Sequence, residues 1–315
     1  GKIMSNDELH VVLGASGALG SAVVRELAKR GKSLRGVNRN GRSTLPEGIE
    51  HVKADITDLN SARKACNGAT VIYHCVAPPY NKWTELHPPI MENIIETAAN
   101  VGAKVVYGDN LYMYGPVDKP LTEDLPCNAS GPKGKVRAAI ANQLMDAHQN
   151  GKIAATIGRA SDFYGPGVRL SHFGERVVPN VLQGKQADFL GNPDILHTYT
   201  FIDDFANALV TLAENDKALG EIWHVPNAAT MTTRQLFELA FEEAGFEPKI
   251  GTPPGFILKL LGIFHPGVRE LKETRYQIVE PWIVDHSKFE KAFGDLSTPH
   301  REAIRQTLDW FKKSA

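Results

Sequence analysis

Between an apolar run, Leu9 to Leu13, and a segment that sets Ala22, Val23, Val24, Leu27 and Ala28 at helical spacing, the chain inserts Gly14-Ala15-Ser16-Gly17-Ala18-Leu19-Gly20. Glycines at every third position of a strand-to-helix junction leave few folds open. Gly14 allows a tight turn, Gly20 lets the helix pack closely on the strand, and Gly17 keeps side chains away from the helix start. Bare N–H groups at a helix N-terminus, reinforced by the helix dipole, bind phosphate. With the strand before it and a helix stopped at Gly31 behind it, the stretch reads as a dinucleotide-binding turn, lined also by Ser16, Ala18 and Leu19.

The pattern around the turn extends through the first half of the chain. Strands are expected at Leu9 to Leu13, Ser33 to Val37, Glu50 to Ala54, Val71 to Cys75, Lys104 to Tyr107 and Ile153 to Gly158, with helices between them, including Glu85 to Asn100 and Gly134 to His148. Such alternation implies right-handed βαβ crossovers, hence an α/β fold with a doubly wound parallel sheet of the Rossmann type. Beyond Gly165, prolines 166, 179, 193, 226, 253 and 254 punctuate shorter elements. Thr232 with Gln235 forms a capping box for a helix ending at Gly245, and Phe256 to Phe264 reads as a further short helix. The expected division is a cofactor domain over 1–165, rejoined by about 197–225, and a smaller, discontinuous C-terminal substrate lobe within 166–315.

The second strand selects the cofactor. An acid at its end holds the ribose hydroxyls of NAD, whereas a phosphate on that ribose calls for a cation. The segment reads Leu34-Arg35-Gly36-Val37-Asn38-Arg39-Asn40-Gly41-Arg42, with no acid. Asn38 stands at the acidic position, and Arg39 and Arg42 offer forked donors to a phosphate, so NADP is the expected cofactor. Asp55-Ile56 falls on the adenine side, and Cys75-Val76-Ala77 forms a pocket wall.

Bulk properties narrow the function classes. The chain has 315 residues, of which 42% are hydrophobic and 23% charged, with a formal net charge of −1. That balance gives no footprint for nucleic acid or an anionic membrane. No apolar stretch approaches the roughly 20 residues of a membrane span. Cys66, Cys75 and Cys127 lack metal or redox spacing and the histidines are scattered, so no metal site and a reduced, cytoplasmic setting are expected. Gly1 to Ile3, ahead of Met4, read as a remnant of expression.

The landmarks GASGALG, KADITD, VIYHCVAPP, Met113 to Pro116, Leu121 to Pro126, Gly158 to Gly167, Thr200 to Leu209 and the tail HSKFEKAFG resemble the extended short-chain dehydrogenases/reductases of the NAD-dependent epimerase/dehydratase family. The resemblance spans essentially the whole chain. It implies a Rossmann cofactor domain, a small-molecule substrate and, as often in such proteins, a homodimer. It also exposes a departure. The family's Ser/Thr, Tyr and Lys are replaced by Asn110, Lys133 and Arg137. Asn110 and Arg137 keep donors able to orient a substrate and a nicotinamide ribose, and Lys133 is a candidate acid or base against the alternative of a solvated charge. Tyr112 stands where the sugar-dehydratase branch carries an acid/base carboxylate, which makes its phenol the second candidate proton donor.

Ala160 and Ser161 are expected beside the nicotinamide. Asp162, at a family asparagine position, and Tyr80, Trp83, Phe163, His172 and Phe173 are expected to line the substrate pocket. The leading expectation is an NADP-dependent oxidoreductase, or related isomerase, of a small carbonyl or hydroxyl compound. Two other readings stand beside it: a non-catalytic NADP-binding sensor or scaffold, and an epimerase or lyase that uses its cofactor transiently.

Overall fold

The computed structural model describes residues 8–40, 45–264 and 271–315. Arg42 and Gly1–Ile3 lie outside the described residues. Strands β1 (His10–Leu13), β2 (Leu34–Asn38), β3 (Glu50–Lys53), β4 (Val71–His74), β5 (Lys104–Asp109) and β6 (Ala155–Arg159) pair in parallel, in the order β6-β5-β4-β1-β2-β3. A strand at Ile222–His224, unforeseen in the sequence, adds beside β6 and makes seven. Helices α1 (Ala18–Lys29), α2 (Leu59–Ala65), α3 (Trp83–Val101) and α4 (Pro132–Gln149) supply the crossovers. This is the doubly wound Rossmann arrangement. Strands β1, β4 and β6 are buried along their whole length, which is why they read as continuous rather than alternating apolar runs.

The chain divides into two compact units, the first comprising residues 1–110, 132–159 and 205–223, the second 111–131, 160–204 and 224–315. Residues 111–131, placed with the cofactor domain on sequence, group with the second unit, where Leu121 pairs with Val284. The segment after β6 does likewise: Phe163 and Tyr164 pair with Thr200 and Phe201. The second unit has an aromatic core of Phe173, Phe189, Phe237 and Phe241. Its helices include α5 (Val178–Leu182), α6 (Ile202–Ala213, which continues into the first unit), α7 (Thr233–Ala244) and α8 (Gly255–Phe264). The expected capping box on α7 is formed, with both Thr232 and Gln235 bonding backbone N–H groups. On α8, Phe256, Leu260, Ile263 and Phe264 are exposed.

A buried carboxylate ties the first unit together at the end of β5. Asp109 Oδ1 accepts hydrogen bonds from Arg137 Nε and Nη2 on α4, at 3.1 and 2.8 Å. Its Oδ2 accepts from Arg159 Nε, at the end of β6, at 3.1 Å. The same Oδ1 takes the backbone N–H of Asn110 at 2.8 Å. Arg137 Nη1 donates onward to His87 Nε2 on α3 at 3.0 Å, and the guanidinium lies over the rings of Trp83 and Tyr107. His74 stacks on Tyr107 and accepts the Val76 N–H on Nδ1. Burial and the Arg137 charge push His74 down to about 3 and His87 down to about 2, so both rings stay neutral.

Two measurements follow from this network. Asp109→Ala leaves two guanidinium groups buried without their shared acceptor and is expected to cost about 3–5 kcal/mol in urea denaturation. The histidines set an acid limit. Because their folded values lie far below the unfolded value near 6.5, stability is full above that pH and declines as pH falls toward 3, by about 1.4 kcal/mol per pH unit for each ring. Denaturation at pH 7 and 5 checks the slope, and His87→Gln should make it shallower.

Candidate functional site

Gly14 follows β1 with φ of +81°, and any Cβ there would overlap the carbonyl group of Cys75. The turn therefore sits against the end of β4, with the Cys75 N–H donating to Leu13 O at 3.0 Å. A Cβ on Gly20 would likewise overlap the Gly14 carbonyl. Gly17 differs. It is the exposed N-cap of α1, no side chain caps the helix there, and a Cβ would meet only Gly14 O at 3.5 Å. Two glycines are thus required by the protein's own packing, while the third keeps the space in front of α1 clear. Ser16 is exposed beside Gly17, and Leu19 packs over Gly108, where an added Cβ would press on its Cδ2. A helix start with that clearance, at the point where the strand order reverses, fits a dinucleotide pyrophosphate.

At the end of β2, Asn38 is buried and its Oδ1 bonds His51 Nε2 at 2.9 Å. Arg39 is exposed, and its charge acts on Asp55. Hydrogen bonds from Thr57 hold the Asp55 carboxyl below its ordinary range. Ile56 is buried beside it, with its carbonyl bonded by Asn93. On the β4 side, burial raises the Cys75 thiol well above its ordinary range and pushes Cys66 up to about 12, whereas Cys127 is exposed. Val76 is half-buried and Ala77 exposed.

The three positions that replace the family's Ser/Thr, Tyr and Lys all belong to the first unit. Asn110 is half-buried, with its backbone fixed by Asp109. Lys133 is buried, not solvated, and its ammonium lies 4.5 Å from the centroid of the Tyr80 ring. Arg137, expected to reach a ribose, has its Nε, Nη1 and Nη2 directed at Asp109 and His87. Tyr80 and Trp83, expected as substrate lining, meet edge to face at 4.9 Å and present their faces to these two cations.

In the second unit, Tyr112 is half-buried in a single 3₁₀ turn, Tyr112–Tyr114. Tyr114 is fully buried; its hydroxyl donates to His224 Nε2 at 2.8 Å, while His224 Nδ1 donates to Asp285 O. Ala160 and Ser161 are buried, the Ser161 N–H bonds Thr200 Oγ1 at 3.1 Å, and the Ser161 hydroxyl has no partner among the described residues. Asp162 Oδ2 lies 2.8 Å from His197 Nε2 and 3.7 Å from His172 Nε2. Phe163 is half-buried, and His172 meets Phe189 edge-on.

Several members of these clusters escape the sequence reading. Asp109, the neighbour of Asn110, and His87, one helical turn beyond Trp83, carried local signals. His197 did not: it joins Asp162 across 35 positions of sequence. Among the described residues no helix is long and apolar enough to cross a membrane.

Similarity to known proteins bears on the whole arrangement. The chain is 23% identical to 3beta-hydroxysteroid-dehydrogenase/decarboxylase isoform 2 of Arabidopsis thaliana, over 87% of its own length but only 55% of that protein's. It is 23% identical to the dTDP-glucose 4,6-dehydratase of Mycolicibacterium smegmatis, over 87% of this chain and 82% of the other. The fold matches that of the UDP-glucose 4-epimerase of Thermus thermophilus in complex with NAD, with a TM-score of 0.77, 20% identity, and coverage of 98% of this chain and 100% of the other. The model of the NAD dependent epimerase/dehydratase family matches residues 10–225, more than two thirds of the chain, and the chain belongs to that family.

Proposed function

We propose that the chain is an NADP(H)-dependent oxidoreductase, or a related isomerase, of a small carbonyl or hydroxyl compound. The observation that carries the cofactor choice is the end of β2: a buried Asn38 engaged by His51, and an exposed Arg39 in place of an acid. A guanidinium there recognises a ribose phosphate through forked, charge-assisted bonds, and no carboxylate opposes it at that position. The clearance at Gly17 and the wall at Cys75 to Ala77 support binding of the pyrophosphate and nicotinamide halves. Hydride transfer is the chemistry that a bound nicotinamide supplies.

The protein's part is positioning and the proton. Asn110 orients a substrate oxygen through its amide, its backbone fixed on Asp109. Tyr112 carries the phenol proposed as proton donor. Lys133 is the second candidate, buried with its ammonium against the Tyr80 ring. One observation favours a rival reading. Lys133 and Arg137 are both engaged with aromatic rings, and Arg137 also with a buried carboxylate, which suits a chain that retains NADP binding without turnover.

Fluorescence titration is expected to show NADPH binding more tightly than NADH, with Arg39→Ala losing about 10-fold of NADPH affinity as one charge-assisted contact goes. In the same assay Gly17→Val should abolish binding while circular dichroism stays native, because the new side chain projects into the cleared space. Tyr112→Phe should lower turnover by about 100-fold or more at unchanged NADPH affinity, the scale of a lost general acid. Lys133→Met makes the comparison, and a large loss there with none at Tyr112 moves the role to the lysine. Absence of turnover in the parent across a carbonyl panel, with NADPH bound, supports the binding-protein reading.

A further inference from the structure

Asp162 and His197 form a pair whose geometry bears on what the second unit recognises. His197 is buried, with its side chain 1% exposed. Its Nδ1 lies 2.9 Å from the carbonyl oxygen of Gln277, and its Nε2 lies 2.8 Å from Asp162 Oδ2. Both partners are acceptors. Both ring nitrogens therefore have protein partners. Burial acts to raise the Asp162 carboxyl, but the electrostatic influence of the His172 ring and the His197 hydrogen bond together hold it below its ordinary value. Asp162 is thus a carboxylate with one oxygen fixed against the His197 ring.

This arrangement has consequences for a ligand. Both ring nitrogens of His197 are committed to protein partners, so it has no donor left for a bound anion. The Asp162 side chain is 23% exposed, and its Oδ1 has no protein partner among the described residues. The group offered outward is a carboxylate oxygen, which accepts hydrogen bonds and repels phosphate. His172 does not offset this: burial lowers its pKa and keeps the ring neutral. Arg176 acts on His172, but it is exposed and its charge is screened by solvent.

We propose that Asp162, held by His197, is a specificity-determining residue that accepts a hydrogen bond from a hydroxyl of an uncharged substrate and excludes nucleoside diphosphates from this part of the second unit. The proposal rests on the reading above that the segment around Asp162 contacts substrate, and it narrows the substrate class of that reading to uncharged hydroxylated compounds. A diphosphate brought to this oxygen meets a like charge with no uncommitted His197 donor beside it; a hydroxyl meets an acceptor already oriented by a fixed ring.

The test titrates UDP-glucose by calorimetry into the parent and into Asp162→Asn, each saturated with NADPH. Removing the charge at constant shape is expected to tighten UDP-glucose binding by about 10-fold or more, the scale of one relieved like-charge contact. Equal or weaker binding in the variant overturns the proposal. Asp162→Ala, which asks nothing of an amide beside His197, gives the same reading should the asparagine variant fold poorly. NADPH affinity, measured first in each protein, reports on the first unit and on folding. Loss of NADPH binding in the parent defeats the proposed function, and the UDP-glucose comparison is then made without cofactor, so the two failures are distinguishable.

Discussion

One carboxylate, at Asp109, organises the first unit. It ends the interior strand β5, is buried, and receives a guanidinium from α4, a second from β6 and a backbone N–H from its own successor. A buried ion pair contributes little to net stability when compared with apolar packing, but breaking one leaves an uncompensated charge in a low-dielectric interior. Its value is geometric. With α4 locked onto β5 in this way, Asn110 and Lys133 inherit fixed backbones.

The same network explains how the chain departs from its family without losing the fold. Arg137 stands at the family's lysine, yet its donors turn to Asp109 and His87. Lys133 stands at the tyrosine and rests on the ring of Tyr80. Replacing an acid/base pair by two cations within one turn of a helix would repel and unsettle that helix. A carboxylate and two aromatic faces absorb the charge instead. Histidines forced neutral by burial and the neighbouring guanidinium fill the space behind it.

What was legible in the sequence was whatever depends on local periodicity. The six strands of the parallel sheet, α3, α4 and the capping box of α7 follow from apolar runs, helical spacing and end signals, each set within a few residues. The glycine turn was legible for the same reason, since its geometry is a property of seven consecutive positions. The strand Ile222–His224 was missed because three residues give too short a run to declare a period. Asp109 with Arg159, and Asp162 with His197, were missed because the partners meet only after the chain has folded back over 50 and 35 positions. The grouping of 111–131 with the second unit has the same origin, a single pairing of Leu121 with Val284 that no local pattern announces.

The cysteines carry a practical consequence. Burial withholds the thiolate at Cys66 and Cys75, while Cys127 lies on the surface of the second unit. At neutral pH a maleimide dye therefore has one chemically addressable sulfur and attaches at one place without any cysteine being engineered away. A fluorophore there sits on the unit that carries Asp162 and Tyr112, remote in sequence from the glycine turn, and gives the native chain a built-in spectroscopic reporter for ligands of that unit.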